Sequence, residues 1–397
     1  MDICLLNDSF PPIIDGVSNT VVNYAKVLYD MGDSPLVGTP EYPGAVDDYP
    51  YPVIRYPSLD TTKLLGYRTG IPLSYKLFRG FEGRRLDLIH CHCPMVSAIL
   101  ARGLRLVKDA PIIFTYHTKF DIDIANITDA RLIQNAAEHL VTDMVSACDE
   151  VWVVSRGAGE NLESLGYQGK WRVMENGVDL PKGTPPEAEV HALRRQLELP
   201  EDTPVFLFVG RMMWYKGLRL ILEGLARAKA QGARFRMLFV GGGGDMDAVR
   251  DLAMALEIMP WCRFVGKIHD RELLRRYYAL AELLLFPSTF DTFGLAVREA
   301  AACATASLLI RRSAAAEGIV HGENGLLIPE DSAALAQEVL AVCRDPAPAR
   351  ELGRRAMDSL YLSWDTAVAR AREQYQTVVE RWRAGERHHG PGILKKE

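Results

Sequence analysis

A chain of 397 residues with 48% hydrophobic and 24% charged side chains has the composition of a soluble globular protein, and it is long enough to predict two domains of ~150–200 residues rather than one core. The net charge of −5 argues against a general nucleic-acid binder, and seven scattered cysteines do not suit a disulfide framework. No basic leader-type start and no apolar run of ~20 residues is present, so a cytoplasmic protein is expected, at most peripheral to the inner face of the cell membrane.

Short β-rich runs alternate with helical periodicity almost throughout. In the first half, strands are expected near 3–6, 35–37, 53–56, 86–90, 112–116, 151–154 and 172–174. A Pro/Gly-rich stretch at 180–186 reads as a linker. Strands resume near 205–209, 237–240, 263–265, 283–286, 307–310 and 325–328. Such alternation implies parallel sheets with helices on both faces, hence an α/β protein of two doubly wound Rossmann-like domains facing a central cleft. The first spans 1–180 and the second 187–364. The tail from Ala384 onward, poor in apolar residues, is expected to be loose.

Two segments carry chemistry. The apolar run 204–209 leads into Gly210-Arg211-Met212-Met213-Trp214-Tyr215-Lys216-Gly217 and then a helix with apolar residues at Leu218, Ile221, Leu222 and Leu225. Two cations thus sit in one strand–loop–helix turn, where open α/β sheets bind ligands, and an Arg fork with a Lys point charge suits a leaving diphosphate. The plain alternative is a solvated basic turn. Farther on, the run 283–286 ends in Pro287-Ser288, Asp291 follows in the loop, and Gly294 turns the chain into a helix carrying Glu299. Two acids separated by seven residues, with helix-start N–H groups between them, can hold two sets of ligand hydroxyls around a phosphate. A loop Asp with an unrelated surface Glu explains that pair alone equally well.

Other patterns carry less weight. Gly241-Gly242-Gly243-Gly244 follows a strand, but Met246 stands where a dinucleotide fingerprint needs its third glycine, so close backbone approach to a nucleotide or phosphate, or a flexible turn, is the better reading. His90-Cys91-His92-Cys93 holds four potential metal ligands, yet strand alternation lets no more than two converge.

Taken together, these segments resemble the retaining glycosyltransferases of family 4, which have the GT-B fold. The resemblance extends to Phe10-Pro11-Pro12-Ile13-Ile14-Asp15-Gly16-Val17, His90 to Pro94, Tyr116-His117-Thr118, Glu175-Asn176-Gly177-Val178-Asp179, Val265-Gly266-Lys267 and Gly322-Glu323-Asn324-Gly325. It implies that Arg211 and Lys216 hold the donor diphosphate and that Glu299 grips ribose hydroxyls. Asp291, one methylene shorter than the usual Glu, would hold the hexose. Gly210, Phe293, Gly294 and Leu295 would contribute backbone contacts, Lys267 and Ile268 the edge that receives the base, Gly16 close approach to phosphate, and His117 a contact to the hexose. The final helix, about 365–385, would cross back to the first domain. No cofactor and no metal is expected, since cations and helix N-termini take that role. Asp121/Asp123 and Asp245/Asp247 look like the acidic pairs that hold Mg²⁺ in single-domain glycosyltransferases.

The resemblance is nearest to the branch acting on diacylglycerol or phosphatidylinositol lipids. Transfer of glucose from UDP-glucose to a lipid such as diacylglycerol is therefore expected. A GDP-mannose-dependent mannosyltransferase, a polysaccharide glycosyltransferase with a soluble acceptor, a sugar-nucleotide epimerase or a phosphorylase are the alternatives. Residues 64–85 interleave Arg68, Lys76, Arg79, Arg84 and Arg85 with Tyr67, Tyr75, Phe78 and Phe81, which suits either an anionic membrane surface or an ordinary helix covering the sheet.

Overall fold

The computed structural model describes residues 1–13, 15–62, 68–72, 75–120 and 130–387. These divide into two compact units, Met1–Gly177 with Trp364–Glu397, and Val178–Ser363.

Unit 1 contributes the strands β1 (Asp2–Leu6), β2 (Ser34–Pro40), β3 (Val53–Tyr56), β4 (Ser58–Leu59), β5 (Thr69–Gly70), β6 (Leu88–Cys91), β7 (Ile112–Tyr116), β8 (Glu150–Val153) and β9 (Arg172–Val173). Its parallel sheet has the order β3-β2-β1-β6-β7-β8-β9, while β4 and β5 form a small antiparallel pair. Ile3, Cys4, Leu5 and Leu6 are all buried, as a central strand covered on both faces requires. β1 lies between β2 and β6, so the order reverses there.

The helix Trp364–Arg383 belongs to unit 1. Its buried residues Trp364, Val368, Ala371, Tyr375, Val378 and Trp382 recur every three or four positions and form one stripe. At ~1.5–3 kcal/mol for each large side chain, that stripe is the main reason the helix returns to this unit. Arg372 adds an ion pair to Asp33 (2.6 Å), and Gln374 donates to Glu150 (2.8 Å).

Unit 2 contributes β10 (Val205–Val209), β11 (Arg236–Val240), β12 (Cys262–Gly266), β13 (Leu283–Phe286), β14 (Ala306–Ile310) and β15 (Leu326–Ile328), in the order β12-β11-β10-β13-β14-β15. Its reversal falls at β10, flanked by β11 and β13. The stretch whose composition reads as a linker is packed onto this unit. Leu180 is buried, the Val178 N–H donates to the Leu362 carbonyl, and the Gly183 N–H donates to that of Ala302. All seven cysteines are free thiols, and no helix among the described residues is long and apolar enough to cross a membrane.

Candidate active site

In a doubly wound sheet the ligand crevice opens beyond the carboxyl ends of the strands, where the order reverses. In unit 2 the loops there follow β10, β11 and β13, and they carry Arg211 and Lys216, the glycine run, and Asp291. Their backbones nearly touch. At Gly217, with φ 78°, a Cβ would lie 2.3 Å from the Pro287 carbonyl oxygen, and at Gly241, with φ 132°, it would lie 1.9 Å from that of Gly210. The glycine run, expected to approach a nucleotide or phosphate or to form a flexible turn, packs its backbone against the chain's own β10 loop.

This packing brings two expected site residues into contact. Lys216 Nζ donates to Asp291 Oδ1 at 2.5 Å, and it lies 5.7 and 5.5 Å from the ring centroids of Tyr215 and Phe290. Asp291 Oδ2 is buried and has no partner among the described residues. One carboxylate oxygen is therefore held by the cation while the other remains an acceptor for a ligand hydroxyl. Arg211, exposed, lies 5.9 Å from the same Tyr215 ring.

Glu299 sits inside the helix Leu295–Ala302 and is buried. Its Oε1 accepts from Arg271 Nη2 (2.5 Å) and its Oε2 from the Tyr278 hydroxyl (2.8 Å). Burial first, and then the Glu299 charge, push the Tyr278 phenol well above its ordinary range, so it stays protonated and donates. Each carboxylate oxygen keeps a lone pair for a further donor. Arg271 and Tyr278 are absent from the sequence reading. Their signal is the seven-residue spacing on the helix Arg271–Leu280, which places both on one face. Asp291 and Glu299 share no hydrogen-bond partner among the described residues.

Gly294, with φ 67°, opens the helix that carries Glu299 and, being glycine, offers its first amides no side-chain cap of its own. Phe293 is buried beneath Arg298, whose guanidinium is 5.2 Å from its ring. Lys267 is exposed with its stem alongside Gly242, and Ile268 packs on the unit 2 core. Of the acidic pairs, Asp245 accepts the Trp214 N–H (2.9 Å) and Asp247 lies 3.7 Å from Arg250. Asp121 and Asp123 lie outside the described residues. Among the described residues no three His, Cys, Asp or Glu side chains gather as a metal-binding group.

Unit 1 gathers its own groups beyond β1, β6 and β7. Asp15 caps the helix Gly16–Asp30, accepting from the amides of Val17 (2.9 Å) and Ser18 (2.7 Å), which gives the Asp-Gly pair a structural reason. A Cβ at Gly16 would meet open space, so the chain's own packing does not require glycine there. His117 follows β7 and is buried, with its Nε2 3.0 Å from His92 Nδ1 and the two rings stacked. His90, 3.9 Å from His92 ring to ring, bonds Tyr375 on the returning helix (2.5 Å) and Thr115 (2.7 Å). Burial lowers all three imidazole pKa values, that of His117 to about 3, so the cluster is neutral at ordinary pH. His92, read above only as a strand residue unable to complete a metal site, is the missed member; its signal is the His-Cys-His alternation that puts His90 and His92 side by side.

The description "Glycosyltransferase Family 4" matches residues 14–182, and "Glycosyl transferases group 1" matches residues 189–358. A D-inositol 3-phosphate glycosyltransferase from Geodermatophilus obscurus is 30% identical, the match covering 79% of this chain and 71% of that protein. The chain belongs to the GT-B glycosyltransferases. An alpha-monoglucosyldiacylglycerol synthase from Acholeplasma laidlawii is 22% identical to this glycosyltransferase over 90% of its length and 92% of the relative's. A crystal structure of Anabaena HepE in complex with UDP and glucose superimposes with a TM-score of 0.74 at 20% identity, covering 94% of this chain and 99% of that one, and so agrees in fold.

Proposed function

We propose that this glycosyltransferase is a retaining enzyme of family 4 that moves a hexose, glucose from UDP-glucose, to a lipid acceptor such as diacylglycerol. The observation that carries the donor assignment is the Lys216–Asp291 pair at the unit 2 reversal point, a cation beside a carboxylate oxygen that has no partner among the described residues. Lys216 and Arg211 would neutralise the diphosphate as it leaves, and the amides after Gly294 would face a phosphate. Asp291 Oδ2 would accept a hexose hydroxyl and Glu299 the ribose hydroxyls. Gly210, Phe293 and Leu295 would contribute backbone contacts, and Lys267 and Ile268 would border the base. Gly16 and neutral His117 would serve the phosphate and the transferred sugar as spacer and hydrogen-bonding group. Retention follows if the acceptor hydroxyl attacks from the face the diphosphate leaves, its proton passing to the departing phosphate oxygen.

Glucose and a diacylglycerol-type acceptor are supported by the Acholeplasma relative's name, and UDP by the HepE complex. A phosphorylated polyol acceptor is the second reading, favoured by the 30% identical relative. Incubation with UDP-glucose, UDP-galactose and GDP-mannose, each with diacylglycerol vesicles or inositol phosphate, separates them. Release of UDP with a labelled glycolipid is expected. A labelled inositol phosphate product instead would replace the lipid reading.

Glu299→Gln should weaken binding of both UDP and UDP-glucose. Asp291→Asn should leave free UDP affinity unchanged while transfer falls. Equal loss of UDP affinity in titrations of the two variants would show that the roles are divided wrongly. Turnover should also survive excess EDTA, because Lys216, Arg211 and helix amides already offset the diphosphate charge. Loss of activity with recovery on adding Mg²⁺ or Mn²⁺ would return Asp245 and the Asp121/Asp123 segment to consideration.

Regarding the membrane, Phe78 packs on Gly103 and Leu77 is buried, as is Phe81 just after the helix Tyr75–Gly80, so the segment 75–81 turns these apolar side chains inward. Lys76, Arg79 and Tyr75 are exposed, while Arg68 is tied to Asp60 and Ser58 and Tyr67 lies outside the described residues. Attraction to anionic vesicles should therefore be chiefly electrostatic, about 1 kcal/mol per basic residue near the surface. Joint replacement of Lys76 and Arg79 by Ser should weaken vesicle binding roughly 30-fold at low salt, and unchanged binding would remove this surface from the reading.

A further inference from the structure

The sheet of unit 1 has a second concavity, at the amino ends of its strands and away from the candidate site residues described above. A cavity of about 220 Å³ opens where β1, β2, β3 and β6 begin. Tyr29, Tyr51 and Phe81 contribute aromatic rings to it, and Arg84 and Arg85 stand exposed beside it. Neither guanidinium makes an ion pair or hydrogen bond among the described residues, and Tyr51, only 4% exposed, has a hydroxyl without a partner there. Of the two acids in the lining, Asp33 is already held by Arg372 (2.6 Å) and by the Met1 nitrogen (2.7 Å). Asp2 is the other. The balance at the mouth is therefore positive, while the walls are polar and apolar in about equal share.

We propose that this cavity is a binding site for a small ring-bearing organic anion, one carboxylate or phosphate group on a single-ring body. The volume is below the ~300–1,000 Å³ typical of drug-sized ligands, which limits the occupant to about one ring. The ring stacks against the aromatic walls and the anion meets Arg84 and Arg85, for which a planar fork is well suited. A buried hydroxyl without a partner loses its hydrogen bonds to water, which favours an occupant that presents an acceptor to Tyr51.

The test is calorimetric titration of the full chain with phenyl phosphate, benzoate and inorganic phosphate, in the absence of lipid and with saturating UDP present. Saturable binding of phenyl phosphate or benzoate is expected, at least tenfold tighter than inorganic phosphate, and insensitive to UDP. The two organic probes decide between phosphate and carboxylate. Arg84→Ser with Arg85→Ser should weaken it tenfold or more without changing the thermal unfolding temperature, since both side chains are exposed, and Tyr51→Phe should weaken it severalfold. No saturable binding up to about 10 mM, equal affinity for inorganic phosphate, competition by UDP, or unchanged binding in the double-arginine variant would each overturn the proposal.

Discussion

Lys216→Ala should lower kcat by about 10²–10³-fold while the α/β fold is retained. The size follows from removing one preorganised charge from a departing diphosphate, typically about 2.7–4 kcal/mol. A second effect accompanies it. Lys216 is the partner of Asp291 Oδ1, and the other oxygen already lacks one among the described residues, so the variant leaves that carboxylate without its cation. With the Lys216 and Asp291 side chains 10% and 19% exposed, the pair lies between the surface and the interior, so the stability loss should fall between the ~1 kcal/mol of an exposed pair and the ~3–5 kcal/mol of a fully buried broken one. Arg211→Ala separates the two effects, since its guanidinium makes no ion pair with Asp291: it should lower kcat comparably and leave the unfolding temperature unchanged. Near-normal turnover in both variants, measured under saturating donor, would remove the diphosphate assignment.

Unit 1 should be markedly acid-sensitive. His90, His92 and His117 are buried and neutral, with folded pKa values pushed below the ordinary 6.5, that of His117 to about 3. For a depressed histidine the unfolded chain binds the proton first, so stability is fully present above about pH 6.5 and is lost as the pH falls towards the folded pKa. At pH 5.5, about one unit below the ordinary value, the unfolded chain is largely protonated at these positions while the folded cluster is not, so each histidine lowers stability by on the order of 1 kcal/mol, against a total of ~5–15 kcal/mol for a typical domain. Denaturant unfolding at pH 7.5 and 5.5 should show this loss in unit 1, and His92→Gln should reduce the pH slope. Equal stability of unit 1 at the two pH values would mean that the cluster takes up protons while folded.

The strand pattern is legible in the sequence because buried parallel strands are short apolar runs bounded by turn residues. The run Val205–Val209 followed by Gly210 shows this directly, as does Leu283–Phe286 followed by Pro287. The pair β4 and β5 is not, since two residues per strand carry no period. The Pro/Gly content of 180–186 correctly marks irregular chain, but composition does not reveal that Leu180 is buried and the Gly183 amide bonded within unit 2.

At the candidate site the same division holds. Arg211, Lys216, Asp291 and Glu299 stand out in the linear chain because loop position and helix start are local properties, set by a glycine and the strand or helix beside it. Which side chains meet is decided by strand order. β10 and β13 are neighbours in the sheet, so the loops that follow Val209 and Phe286 lie side by side, and Lys216 reaches Asp291 across 75 positions of sequence. Likewise Glu299 finds Arg271 and Tyr278, 28 and 21 positions away, and His117 finds His92, 25 positions away.

By itself, then, the sequence determined the element types, the two-part organisation and the residues that carry charge in the loops, because each depends on neighbours along the chain. Only the tertiary structure decided the partners of those residues: the cation on Asp291, the phenol and guanidinium on Glu299, and the neutral histidine cluster tied to Tyr375. Parallel strands joined by crossover helices bring distant loops to one edge, and no local pattern records which loops those are.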